Sequence, residues 1–266
     1  MLFLAHFHLR LMLTDEDAQV LARRSATAAA LLLLACQLLE PARMAGEWAG
    51  LVDARLVRLA WRSVDGFAHV AQAAALLLCA LLLLEPAALS RGGRRSLVLA
   101  AATVALLGLL ASGHATTSPW RWLLLPLLAL HIGIAAFWFG SLLPLHRALR
   151  EEARVVVQQL LHSFSILAGL AVPLVALAGV GIALALISGL PGWTEPYGLA
   201  LLVKLGAYAV LLGLAAVNRW ILVPRLADED RGRDSMLQAV ILVEWILIGG
   251  VLVLTSRFAL DWGPGA

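Results

Sequence analysis

Apolar residues run along this chain in blocks of about twenty, separated by short polar or charged stretches. A helix rises about 1.5 Å per residue, so about twenty apolar residues cross the roughly 30 Å hydrocarbon core of a bilayer. Seven blocks meet this length: residues 25–44, 66–85, 96–113, 121–146, 160–188, 197–223 and 236–255. The segment Met1–Leu13 is apolar but too short to span. It is either the end of an eighth helix that starts further upstream or a segment lying in the interface. Residues 45–65 mix Trp48 and Trp61 with Arg55, Arg58 and Arg62, the pattern of an amphipathic helix on the membrane surface. The expected fold is all-α, a polytopic transmembrane helical bundle with seven spans plus a truncated N-terminal eighth. It forms a single integral membrane domain over 1–266, in which 1–24 is a partial N-terminal helix and cytoplasmic segment and 45–65 is an outer interfacial segment.

Composition agrees. Hydrophobic residues make up 62% of the 266 positions and charged residues 14%, against about 25% charged in soluble domains. The net charge of +3 comes from arginines at helix ends rather than from a basic stripe with interleaved aromatics, so nucleic acid is not an expected partner. Counted over alternate loops, eleven arginines fall on one side (Arg23, Arg24, then the groups around Arg94, Arg150 and Arg231) and six on the other. The first side is therefore expected to be cytoplasmic. Trp48, Trp61, Trp120, Trp122, Trp193 and Trp262 then form an outer aromatic belt. Cys36 and Cys79 lie inside apolar runs and read as small buried side chains rather than a disulfide. Met1–Leu13 lacks the basic start and small-residue cleavage site of a signal peptide.

Candidate chemistry centres on His131–Leu145. His131 and Trp138 are seven apart and share one helix face, while Gly133 and Gly140 share another, where glycine would let a neighbouring helix approach. His131 lies about ten residues into its span, about 15 Å deep, where an ionisable group is costly and marks a functional site. His6, His8, His69 and His114 fall at or near the outer surface above it, and His146 and His162 on the inner side. Imidazole ligates copper, zinc and haem iron, so an outer histidine cluster above a midplane histidine suits metal capture and passage. Met44, at the outer end of its span, is a secondary soft ligand. Glu244 and Lys204 lie inside spans at depths that differ by about 9 Å, within reach of an ion pair, and otherwise serve cation or proton movement. Asn218 reads as a helix–helix hydrogen bond. Ser165, Gly169 and Pro173 are spaced four apart and read as a packing ridge with a kink. The chain has no Walker A loop, HExxH, GxSxG or CxxC and no nucleophile–base set, so it is not expected to be an enzyme.

Three blocks carry a resemblance: Ser112-Gly113-His114-Ala115; His131 with Trp138-Phe139-Gly140-Ser141-Leu142-Leu143-Pro144-Leu145; and a longer set from His162-Ser163-Phe164-Ser165 through Ser188-Gly189, Pro196-Tyr197-Gly198 and Leu201–Lys204 to Asn218-Arg219 and Val223-Pro224. In order and spacing this set, over residues 113–226, resembles the copper resistance protein D family of bacterial inner-membrane proteins. The resemblance implies copper handling at the inner membrane, as resistance or as import from periplasm to cytoplasm, with a periplasmic copper-binding protein as a partner beside the copper ion and the bilayer. Copper would be captured by His114 with His69, His6 or His8 and passed to His131. Trp138 would wall the path, with Glu244 compensating charge further in. Two other readings compete: a b-type haem electron carrier using His69 or His114 with His131, and a scaffold for assembly of a copper enzyme.

Overall fold

The computed structural model describes residues 16–84, 91–111, 114–186, 196–224 and 231–261. All the regular structure among them is helical. Six helices are long and apolar enough to cross a membrane: Gln19–Ala45, Val64–Leu82, Arg121–Glu151, Arg154–Ala185, Leu202–Leu222 and Ser235–Thr255. The expected span over 96–113 differs. Its helix, Arg91–Gly108, opens on an arginine-rich turn and keeps an apolar stretch of only Ser96–Gly108, short for a full crossing. The truncated N-terminal span falls outside the described residues.

The chain divides into two compact units, Met1–Arg121 and Trp122–Ala266. In the first, α1 (Glu16–Ala45) leads through a 3-10 turn (Trp48–Val52) into α2 (Ala54–Arg62), α3 (Val64–Leu82) and α4 (Arg91–Gly108). Local chemistry sets the boundaries. Gly46 closes α1 with φ +72°, a conformation that suits glycine because it has no Cβ. Asp53 caps α2 by accepting the backbone N–H of Arg55 at 2.7 Å. Ser63 caps α3 through Oγ and the N–H of Gly66 at 2.9 Å. The surface segment expected at 45–65 is thus a 3-10 turn and a nine-residue helix, with Trp48 and Val52 exposed and Ala60 buried.

Polar side chains, more than apolar bulk, tie these helices together. Gln37 of α1 is fully buried. Its Nε2 donates to the carbonyl of Ala60 at 3.0 Å, and its Oε1 meets Nδ1 of His69 in α3 at 2.9 Å. Gln72 donates to the carbonyl of Ala105 in α4 at 2.8 Å. Cys79 packs with Ala75, Val98 and Ala101 and its thiol donates to the carbonyl of Val98 at 3.8 Å, a small buried side chain as expected, whereas Cys36, expected to be buried too, is exposed.

The second unit is a ring of four helices: α5 (Arg121–Glu151), α6 (Arg154–Leu186), α7 (Pro196–Val217), which ends in a π turn (Asn218–Leu222), and α8 (Arg231–Asp261). Each helix bonds its neighbour around the ring. His131 on α5 reaches the carbonyl of Val175 on α6 at 3.0 Å. Tyr208 on α7 donates to the carbonyl of Val172 on α6 at 2.9 Å. Asn218 at the end of α7 donates to Glu244 on α8 at 2.7 Å. The ring closes where Phe139 of α5 stacks on Trp245 of α8, centroids 5.4 Å apart, and where Nδ1 of His146 donates to the carbonyl of Gln238 at 3.1 Å. Leu170, Leu177 and Leu184, seven apart on α6, form an exposed stripe suited to lipid. Pro126, Pro144 and Pro173 lie inside helices, where neighbouring helices and polar side chains can satisfy the backbone groups they release.

Two glycine expectations are corrected here. A Cβ at Gly133 or Gly140 would meet nothing within 4 Å, so these positions do not mark a close helix approach. Gly169 does mark one, but against a side chain: the Arg219 guanidinium from the π turn lies on it and donates to the carbonyl of Ser165.

Candidate functional site

The four helices of the second unit enclose a cavity of about 580 Å³. Its walls are mainly apolar, with Leu142, Phe164, Val172, Leu212 and Ile241 among them. The polar groups gather at one level: Glu244, Asn218, Arg219 and the indole of Trp138.

Glu244 is the centre of that level. It sits on α8, is only 3% exposed, and is the one charged residue among the buried described residues. Two donors from two other elements hold it. Trp138 of α5, whose indole N–H is its sole polar group, bonds the carboxyl, and Asn218 gives Nδ2–H to Oε1. The π turn presents Asn218. The N–H of Val223 bonds the carbonyl of Asn218 at 2.9 Å, one residue wider than an α-helical bond. Such single wide turns recur at functional sites because they re-aim a side chain within an otherwise regular helix. The other amide atom, Oδ1 of Asn218, is buried without a hydrogen-bond partner.

The expected Lys204–Glu244 ion pair does not form. Asn218, fourteen residues beyond Lys204 on the same helical element, reaches Glu244. At about 1.5 Å per residue this puts Lys204 about 20 Å away along the axis. Glu244 lies at the depth of the end of α7, a larger offset from Lys204 than the roughly 9 Å expected from span ends.

His131 is half-buried and bonds α6. Because a carbonyl oxygen only accepts, the bond from Nδ1 to Val175 means that Nδ1 carries the hydrogen, and in the neutral ring Nε2 is then the nitrogen with the lone pair. Gly179 makes room for the ring: a Cβ there would stand 3.2 Å from Cε1. Trp138, two turns on, is about 10 Å further along α5 on the same face. His69 has the same pattern in the first unit. The Nε2 of Gln37 is committed to Ala60, so Oε1 must accept, and Nδ1 of His69 donates to it, leaving Nε2 as the free ring nitrogen.

Of the other expected ligands, Met44 is 41% exposed at the end of α1. His114 opens a single helical turn, His114–Thr117, and its side chain is outside the described residues, as are His6 and His8. Among the described residues, no three His, Cys, Asp or Glu side chains converge into a group that could hold a metal ion. Gln37, Gly179 and Arg219 carry much of the local geometry without having stood out in the sequence. Gln37 was the one legible signal, an amide in the middle of an apolar run.

Residues 158–258 match the family model for copper resistance protein D (CopD). The matched segment takes in almost all of α6 and of α8 and all of α7, and therefore Asn218 and Glu244. It starts after His131 and Trp138 and extends beyond the 113–226 stretch on which the resemblance was read. The chain is also 35% identical over 135 residues to the inner membrane protein YebZ of Escherichia coli (strain K12), an alignment covering 49% of this chain and 46% of that protein. The chain thus spans about half the length of the curated relative it matches. No solved structure matches it. Six membrane-length helices and the inner-membrane relative make this chain a multi-pass protein of the bacterial inner membrane, one whose residues 158–258 match the family model for copper resistance protein D.

Proposed function

We propose that this protein handles copper ions at the inner membrane and lets them pass through the second unit, with copper as substrate rather than resident cofactor. The observation that carries this reading is the buried carboxyl of Glu244. It is held by Trp138 and Asn218 in an apolar cavity whose lining, apart from Trp138, Leu142 and Leu145 of α5, lies in the segment matched by the copper resistance family model. A carboxyl in such surroundings is costly unless paired, and a passing cation supplies the pairing charge. His131 is the midplane ligand. Its Nε2 lone pair suits copper, and its ring is oriented by the carbonyl of Val175, the outer partner that a metal-binding histidine normally has. Trp138, further along α5 from His131, stands at the Glu244 level and holds the carboxyl that compensates charge. Capture at the outer side falls to His114, with His69 and Met44 as further ligands and a periplasmic copper-binding protein as donor. The protein catalyses no covalent chemistry on this reading.

The test is Cu(I) uptake, with ascorbate as reductant, into liposomes carrying the purified full chain. Wild type is expected to accumulate copper, and His131→Ala to lose at least about tenfold in apparent affinity, the equivalent of about 1.4 kcal/mol. Uptake by His131→Ala equal to wild type sinks the His131 route, and no uptake by wild type sinks passage altogether.

A further inference from the structure

We infer that Glu244 carries an exchangeable proton, shared with Asn218, and that the cavity releases this proton when a monovalent cation enters. The proton site stands on the hydrogen-bond geometry, while the identity of the cation rests on the copper reading above.

Asn218 gives Nδ2–H to Oε1 of Glu244 at 2.7 Å, yet its Oδ1 is buried and has no donor. A buried acceptor left unsatisfied costs about 1–3 kcal/mol and calls for an explanation. An ionised carboxylate only accepts, so it offers Oδ1 nothing. A neutral carboxyl has one O–H to give. Facing an amide, it closes a ring of two hydrogen bonds: amide N–H to the acid carbonyl, and acid O–H to the amide carbonyl. Turning the amide over does not avoid the proton, because Oδ1 would then stand 2.7 Å from Oε1, and two acceptors at that distance need a hydrogen between them.

The surroundings agree. Glu244 is buried, with 3% of the residue exposed. From α5 it faces Trp138, which does not titrate in this range, with Leu142 and Leu145 beside it. From the π turn it faces Asn218. From α6 the cavity wall is Phe164, Ser165 and Gly169. Among the residues lining the cavity, Arg219 is the other charged group, and its guanidinium is turned onto α6, donating to the carbonyl of Ser165. His146 and Arg147 of α5 do not line the cavity, and His146 is engaged with the carbonyl of Gln238. Among the described residues lining the cavity, the one cation, Arg219, is thus spent on the carbonyl of Ser165 rather than on Glu244.

The exchange balances. As a monovalent cation arrives, the carboxyl O–H bond breaks, the electron pair stays on oxygen, and the proton leaves to water at the cavity mouth. Nothing is oxidised or reduced, and the charge inside the cavity is unchanged. The protein then moves the cation against a proton.

The test uses infrared spectroscopy on the full chain in detergent at neutral pH. Wild type is expected to show the carbonyl stretch of a protonated carboxylic acid, missing from Glu244→Gln. That variant keeps an N–H for Oδ1, so it should unfold at the wild-type temperature and serve as a folded reference. Asn218→Leu should shift the band, since the ring partner is gone. Adding Cu(I) in weak buffer should remove the band and release about one proton per cation bound. A wild-type spectrum without that band overturns the shared proton. A band that persists with Cu(I) bound overturns the exchange. If Cu(I) does not bind at all, the copper reading falls, and the acid–amide pair is then decided by the band alone.

Discussion

Glu244 draws its hydrogen bonds from two helical elements besides its own, so one side chain joins α5, the end of α7 and α8. Glu244→Ala removes the acceptor for Trp138 and Asn218 together and leaves a void. The expected loss is about 2–4 kcal/mol, read as a lower unfolding temperature in detergent, whereas Glu244→Gln stays close to wild type. Equal destabilisation by both would mean that the carboxyl does not pair as described. The glycines give a second contrast. Gly133→Ala and Gly140→Ala enter open space inside a helix and should stabilise by about 0.5–1 kcal/mol or be neutral. Gly169→Ala pushes on the Arg219 guanidinium and should cost about 1–3 kcal/mol in the same melting experiment. Spacing alone ranked these three glycines alike. It records which face a residue occupies and says nothing about whether anything stands opposite.

At the scale of elements, apolar blocks and turn residues made most of the helices legible, because a helix in lipid must satisfy its own backbone and so needs only length and apolarity. The α4 region is the instructive difference. Residues 91–95 are polar, yet they continue the helix, so the apolar part is short and α4 nears the thickness of a bilayer only over its full 18 residues, about 27 Å. The π turn was invisible, since Asn218-Arg219-Trp220-Ile221-Leu222 reads as ordinary helix and the extra residue per turn is settled by what Asn218 and Arg219 reach. In the first unit, Gln37 joins α1 to α2 and α3. Gln37→Leu should leave the carbonyl of Ala60 without this donor and Nδ1 of His69 without an acceptor, costing about 1–3 kcal/mol. The measurement is thermal unfolding in detergent, and an unchanged transition would show that this polar link contributes little.

At the scale of the whole molecule, orientation follows from arginine distribution. Loops carrying Arg23, Arg94, Arg150 and Arg231 are expected inside, and the Trp120 turn outside. Single cysteines introduced at Arg150 and at Trp120, in a background without Cys36 and Cys79, should react with a membrane-impermeant maleimide from opposite sides of the inner membrane. Labelling of Arg150→Cys in intact spheroplasts would reverse the topology and, with it, the direction from His131 toward Glu244. The same orientation places Glu244 on the inner side of His131, so a cation captured outside meets the imidazole before the carboxyl.

The sequence by itself determined that this chain lies in a membrane, which stretches are helical, that His131 is a deep imidazole, and that Glu244 is a carboxyl in an apolar span. Each follows from length, hydropathy and period, all of which are local. Only the tertiary structure decided that Glu244 meets Asn218 and Trp138 rather than Lys204, that His131 is oriented by α6, and that one amide oxygen is left waiting for a donor. Partners of that kind depend on which helices are neighbours and how far each slides along the other. In lipid, apolar side chains say little about either, because one apolar face packs nearly as well as the next.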